Sequence, residues 1–292
     1  PQTLSVLQGR AGPLEIKLDV CDLAAGSIDF SGVFGVLVQS PDTRGLIRDW
    51  KPLATAAKEA GAVPVMAADP LSLMLVTPPG EMGFDIAIGS TQRFGVPMGF
   101  GGPHAAYMAT REAHVRRMPG RIIGVSRDST GAPALRMAIQ TREQHIKRDR
   151  ATSNICTAQV LLAIMASMYA VWHGPIGLRR IAERVRSRTD ALSRSLSAAG
   201  VQLEPGERFD TVVVVAESEE AADAMVARAL DAGFNIRRFL GEPAIGVTFD
   251  ETTSESDVGA LVQAIRPDAQ VAVGTSAIEP DLQRQSGCLL DE

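Results

Sequence analysis

The stretch 35–70, GVLVQSPDTRGLIRDWKPLATAAKEAGAVPVMAADP, decides the fold. GVLVQ (35–39) and AVPVMA (62–67) are short apolar runs of strand type, and Asp69-Pro70 breaks the second. Between them Leu46, Ile47, Trp50, Leu53, Ala54 and Ala57 recur at helical spacing, which predicts a helix over 45–60 with Gly61 as its stop. Strand, helix and strand in this order form a βαβ unit, the building block of a mostly parallel sheet.

The alternation continues outward. LEIKL (14–18) reads as an earlier strand, 71–75 as a helix or turn, and FDIAI (84–88) and AAYMAT (105–110) as further strands after the breaker TPPG (77–80). GRIIGVSR (120–127) and ALRMAIQ (134–140) flank DSTG (128–131), a hairpin turn. AQVLLAIMASMYAV (158–171) is an apolar helix that Gly174-Pro175 ends or kinks, and 176–199 continues as an amphipathic helix with arginines on its outer face. After Gly200 the pattern becomes β-α-β-β-α: strands at 209–215, 236–239 and 244–249, helices at 219–232 and 254–265. The expected organisation is part of a large α/β domain (1–165), a connecting helix (166–200), a small α/β domain (201–267) and a linker or tail (268–292).

Composition narrows the function classes. The 292 residues carry 29 basic and 34 acidic side chains, a net charge of −5, and are 45% hydrophobic. Disorder, a collagen and a disulfide-stapled miniprotein are excluded. Dispersed, mildly acidic charge offers no footprint for nucleic acid, and no apolar run is expected to approach the ~20 residues of a bilayer span. A soluble α/β protein is expected. Cys21, Cys156 and Cys288 are widely spaced without a CxxC pair, so reduced thiols in a cytoplasmic protein are the default. No signal peptide precedes the first strand-like segment, and the start at Pro1 suggests either a processed piece or an N-terminus farther upstream.

Several motifs carry chemistry. GVPMGFGGPH (95–104) is neither a Walker loop nor a Rossmann fingerprint, and reads either as a phosphate cradle or as a tight turn needing positive φ. Asp69, at a strand end, either faces a ligand or caps the next helix. The histidines 104, 114, 145 and 173 form no metal-type pair, so no metal is expected. The densest polar cluster is QTREQHIKRDRATSNICT (140–157). Thr152, Ser153 and Asn154 suit a helix cap there, while Arg142, Glu143, Gln144 and His145 suit carboxylate or phosphate recognition, or an interface. Cys156, at the predicted helix start, is either a thiol of lowered pKa or a buried helix residue.

RFGVPMGFGGPHAAYMATRE (93–112), MPGRIIGVSRD (118–128) and LRMAIQTREQHIKRDRATSNICTAQVLLA (135–163) closely resemble the glycine decarboxylase P-protein family, the decarboxylating glycine dehydrogenases of the glycine cleavage system. The resemblance runs from PQTLSVLQ through GLRRIAERV to GVTFDET. It implies two homologous halves of the pyridoxal-phosphate (PLP) transferase type I fold, of which this chain is similar to the N-terminal, non-PLP half. Aligning the glycine loop on Phe94, Pro97, Gly99, Gly101 and Gly102 puts Gln92 in place of the Schiff-base lysine and Thr91 in place of its histidine. An amide cannot form an imine, and Lys17, Lys51, Lys58 and Lys147 are the only lysines. Asp69 falls where the fold keeps the carboxylate that pairs with the pyridinium nitrogen, in this half either a relic or a structural cap. Implied cofactor-loop positions are Gly101 and Gly102, and implied contributors to the neighbouring active site are His104, Arg142, Glu143, His145, Thr152, Ser153 and Asn154.

The resemblance further implies an oxidoreductase of glycine catabolism. PLP sits in the partner half, the catalytic half of P-protein and the lipoyl H-protein are partners, and the location is cytoplasmic, or the mitochondrial matrix in a eukaryote. Neither nucleic acid nor membrane is an expected partner. An independently active PLP enzyme and a non-catalytic phosphate- or PLP-binding or structural module are the alternatives.

Overall fold

The computed structural model describes residues 2–22, 28–151 and 159–288. In chain order come helix α1 (Gln2–Ala11), strand β1 (Gly35–Ser40), helix α2 (Lys51–Glu59) and strands β2 (Val63–Ala68), β3 (Ile86–Ser90) and β4 (Ala106–Thr110). The hairpin strands β5 (Ile123–Arg127) and β6 (Pro133–Met137), the single-turn helix α3 (Gln144–Lys147) and the long helix α4 (Val160–Ala198) follow. Strand β7 (Thr211–Val215), helix α5 (Glu219–Asp231), strands β8 (Arg237–Phe239) and β9 (Ala244–Thr248) and helix α6 (Glu255–Ile265) complete the described elements.

Strands β1, β2 and β3 are parallel neighbours, in register from Gly35 opposite Val63 and from Val65 opposite Ile86, and β4 closes the edge antiparallel. This is the expected mostly parallel sheet. The second sheet is antiparallel, ordered β7-β9-β8. A single apolar cluster joins the two units: Leu53, Ala54 and Ala57 of α2, Met66 of β2, Leu178, Val185 and Leu192 of α4, Val212 of β7 and Leu261 of α6 all belong to it. Burying each large aliphatic side chain is worth roughly 1.5–3 kcal/mol, so the connecting helix fastens the units together.

Four local expectations are corrected. The helix predicted over 45–60 begins only at Lys51, because the Asp42 carboxylate takes the amides of Arg44 (2.8 Å) and Leu46 (3.0 Å) and holds 42–46 as a turn. Leu46 and Ile47 are buried even so, with Leu46 bridged to Arg208 and Ile47 N–H bonded to Glu207. LEIKL (14–18) is not a strand: Gly12–Leu14 forms a 3-10 turn, and no described strand pairs with the residues beyond it. Arg186 of α4 points inward rather than out, paired with Glu207 at 2.7 Å. The tail, expected as a linker, packs back on the fold through its described part.

Helix α4 carries the kink that its sequence predicts: Gly174 adopts φ 60°, ψ −179°, just before Pro175. Beyond the kink, α4 is a core helix. Before it, Leu161, Met168, Val171 and Trp172 are exposed, Trp172 by 85%. Against the expectation that no apolar run nears a bilayer span, α4 is long and apolar enough to cross a membrane, with mean hydropathy 1.4 over its most apolar 18-residue window. Length and composition alone do not separate such a span from a helix that docks on protein.

The tail runs along the buried half of α4 and ends on the large unit. Ala272 N–H donates to Ser195 Oγ (2.8 Å), Thr275 N–H to Asp190 Oδ2 (2.8 Å), and Thr77 N–H to the Leu282 carbonyl (2.9 Å). Ala269, Ile278 and Leu282 are buried. Gly274 makes this docking possible, since a Cβ there would lie 1.9 Å from the Ser187 carbonyl oxygen and 2.6 Å from the Ala191 nitrogen. Gly274→Ala is therefore expected to destabilise the chain by about 1–3 kcal/mol, the usual cost of overpacking. Limited proteolysis should then cut the tail near 270–280 well before the rest, and an unchanged cleavage pattern would refute the docking.

Candidate functional site

In open α/β sheets ligands collect beyond the carboxyl ends of the parallel strands. Here β2 runs into Asp69 and β3 runs into Thr91, Gln92 and Arg93. The Asp69 carboxylate does both things its position allows. Its Oδ1 accepts from Leu71 N–H (3.0 Å), capping the next turn, and its Oδ2 faces Arg93 Nε at 3.2 Å. Burial pushes the Asp69 carboxyl above the ordinary carboxylate range, while Arg93 and the Leu71 and Ser72 amides pull it down.

Arg93 reaches farther. It forms an ion pair with Asp210, donates to the Phe249 carbonyl (3.3 Å) and stands 5.8 Å from the Phe209 ring centroid. One guanidinium thus ties the end of β3 to the start of β7 and the end of β9. Tyr107 of β4 donates to the Ala68 carbonyl (2.8 Å), and burial followed by the Asp69 charge pushes its phenol up to about 12. Gly89 permits this approach, because a Cβ there would meet Ala68 O at 2.2 Å and Tyr107 Cε1 at 2.5 Å. Arg93, Asp210 and Tyr107 went unnoticed as site residues in the sequence, although Arg93 stands next to Gln92 at a strand end.

Gln92 donates its backbone N–H to Ser90 Oγ (3.1 Å) and accepts from Val96 N–H (3.1 Å). Thr91 Oγ1 is buried without a hydrogen bond. The loop that follows turns on left-handed residues, with Gly95, Gly99, Phe100 and Gly101 all at positive φ. It is exposed at Gly101 and His104 and half-buried at Gly102. No amine is at hand here: Lys58 pairs with Asp85 (2.8 Å) before the opposite end of β3, Lys51 shares helix α2 with Lys58, Lys17 pairs with Asp19 and Lys147 lies on α3.

The polar cluster divides. Arg142 and Glu143 are buried, and Arg142 donates to the carbonyls of Val115 (3.0 Å), Met118 and Gly120, so it clamps the chain before β5. Its Nη groups are taken up by these carbonyls, which leaves Nε as its remaining donor. Gln144 and His145 are exposed. Thr152, Ser153, Asn154 and Cys156 lie outside the described residues. No group of His, Cys, Asp and Glu among the described residues is arranged to hold a metal.

The family model described as "Glycine cleavage system P-protein" matches residues 1–265. The chain belongs to the P-protein family. It is 49% identical, over 98% of its length, to a glycine dehydrogenase (decarboxylating) of Thermosynechococcus vestitus, and 51% identical over 89% to that of Edwardsiella ictaluri. It spans 30% and 27% of those relatives' lengths. A solved glycine decarboxylase (P-protein) in inhibitor-bound form superimposes with TM-score 0.79 at 35% identity, over 91% of this chain and 63% of that one. An alanine–glyoxylate aminotransferase from Nostoc shares the fold alone, with TM-score 0.54 and 14% identity over 80% of this chain and 61% of that one. The P-protein chain thus has the PLP-dependent type I fold.

Arg93→Met leaves Asp69 and the buried Asp210 without their cation, and the expected loss is about 3 kcal/mol of stability, as for breaking a buried pair from one side. Arg93→Lys should recover only part, because a point-like ammonium cannot span two carboxylates and a carbonyl. Urea denaturation at neutral pH measures both, and a loss under about 1 kcal/mol for Arg93→Met would mean that the pairs are screened like surface ones.

Proposed function

We propose that this chain is the non-PLP half of a glycine-decarboxylating P-protein and that it completes the active site of the lysine-bearing half by docking against it. The observation that carries the reading is the uncovered apolar face of α4 before its kink, Leu161, Ile164, Met168, Val171 and Trp172, on a chain matching 30% of its relative's length. Uncovered apolar side chains at helical spacing cost free energy in water, and covering them drives association. The exposed His104 and His145 and the loop glycines Gly101 and Gly102 belong to the surface we assign to the seam.

The residues at the strand ends do not suit covalent PLP in this chain. Gln92 has no amine, and the carboxylate of Asp69 already faces Arg93. In the assembled enzyme the other half would hold PLP, which would supply the electron sink for glycine decarboxylation in the cytoplasm, with the lipoyl arm of H-protein as acceptor of the aminomethyl group. What this chain's own residues do is fix a wall. Arg93 holds the loop that follows Gln92 against the second sheet, and the docked face excludes water from the neighbouring site.

Mixing this chain with the separately produced lysine-bearing remainder tests the reading. Glycine–CO2 exchange should require both pieces, and Trp172→Glu should abolish the complex in sedimentation while leaving the circular dichroism of the chain unchanged. Borohydride reduction with PLP should label a lysine of the remainder only. A stoichiometric pyridoxyl-lysine on this chain, or exchange by this chain alone, would overturn it.

A further inference from the structure

Charge is distributed unevenly along this chain. Residues 111–150 carry ten basic and four acidic side chains, a formal +6, within a protein whose total is −5. The segment contains the β5–β6 hairpin and α3, and its only buried charged residues are Arg142 and Glu143. Within it a cavity of about 300 Å³ is lined by Arg116, Ile139, Thr141, Arg142, Lys147 and Arg150. That volume lies at the low end of the range for small-molecule sites, roughly 300–1,000 Å³.

Four cations around one cavity repel each other unless something balances them. No acidic side chain among the described residues pairs with Arg116, Lys147 or Arg150, whereas Arg44, Arg93, Arg186 and Arg238 elsewhere each hold two carboxylates. Arg142 adds a buried Nε that lacks a hydrogen bond, with Glu143 Oε1 at 3.7 Å as its nearest counter-charge. Ile139 of the lining and Arg148, between Lys147 and Arg150, both have positive φ, so the chain bends sharply beside these cations.

We propose that this cavity is a binding site for a phosphoryl group, free or as a small phosphomonoester. A dianion balances two of the cations outright, and the planar guanidinium forks of Arg116 and Arg150 match its oxygens, with the Thr141 hydroxyl as a neutral donor. A monocarboxylate would leave most of the charge uncompensated. Every group in the site comes from this chain, so its binding is read on this chain alone whether or not the docking reading holds.

Titrating the chain with inorganic phosphate and with phenyl phosphate at constant ionic strength, followed by calorimetry and by thermal unfolding, tests the site. Both are expected to bind and to raise the unfolding temperature in proportion to the logarithm of concentration, and the double variant Arg116→Gln/Arg150→Gln should bind at least tenfold more weakly with an unchanged circular dichroism spectrum. Lys147→Gln serves as a second, milder variant with the same direction of effect. Succinate, with two carboxylates, is the arm that separates phosphoryl recognition from mere charge. Three results would overturn the proposal: no binding up to about 10 mM phosphate, where a useful site would already stabilise the fold, full binding by the double variant, or an equal response to succinate.

Discussion

The guanidinium of Arg93, set between Asp69 and Asp210, is the interaction on which the relation between the two units depends. It joins the end of β3, the turn after β2 and the entrance to β7 through one side chain. Its surroundings are mostly apolar, so each carboxylate would be costly without it, and the apolar cluster spanning α2, α4 and α6 is what makes the surroundings dry. Packing and charge are thus mutually dependent here. The core sets the low dielectric that strengthens the pairs, and the pairs fix the register in which the core closes.

The same residue explains why a fold associated with a cofactor has at this point a carboxylate already paired within its own chain. The carboxylate after β2 faces a cation from its own chain, at 3.2 Å, and the residue before that cation is an amide where an amine would be needed for covalent chemistry. Tyr107 and Gly89 reinforce the arrangement from the neighbouring strand, one by a hydrogen bond to Ala68 and the other by the absence of a Cβ. A wall built in this way is held from two strands, which suits the role of a supporting surface proposed above.

Much of the fold was legible because its signals are local. The alternation around 35–70, the hairpin turn at Asp128–Gly131, the kink at Gly174-Pro175 and the β-α-β-β-α order after Gly200 all arise from nearest neighbours and periodicity. Contacts between distant residues decided the rest. Asp42 shortens the helix after β1 by taking backbone amides, Glu207 draws Arg186 inward, and the tail docks because Gly274 fits against Ser187 and Ala191 while Ala272 N–H reaches Ser195. At the site, Asp69 was legible from its place at a strand end, but its partner was not, since no periodicity reveals that Arg93 crosses to Asp210. The burial of Arg142 was hidden for the same reason: nothing local in a polar run shows that three carbonyls from 115–120 are brought to its guanidinium.

Two surfaces remain that the chain does not satisfy internally, and they differ in kind. The face of α4 before the kink is apolar and uncharged, continuous over Leu161, Met168 and Trp172, whereas the lobe at 111–150 is cationic. An apolar face is satisfied by area, which only a macromolecular surface supplies, and it discriminates poorly among partners. A concave cluster of cations is satisfied by charge and geometry, which a small anion supplies and which orientation makes selective. The sharp bend at Gly174 separates the two halves of one helix between these environments: the half beyond it is locked into the core, and the half before it is presented outward. Anchoring the presenting half to a buried, ion-paired body holds its apolar residues in one orientation before any partner arrives, which lowers the entropic cost of association.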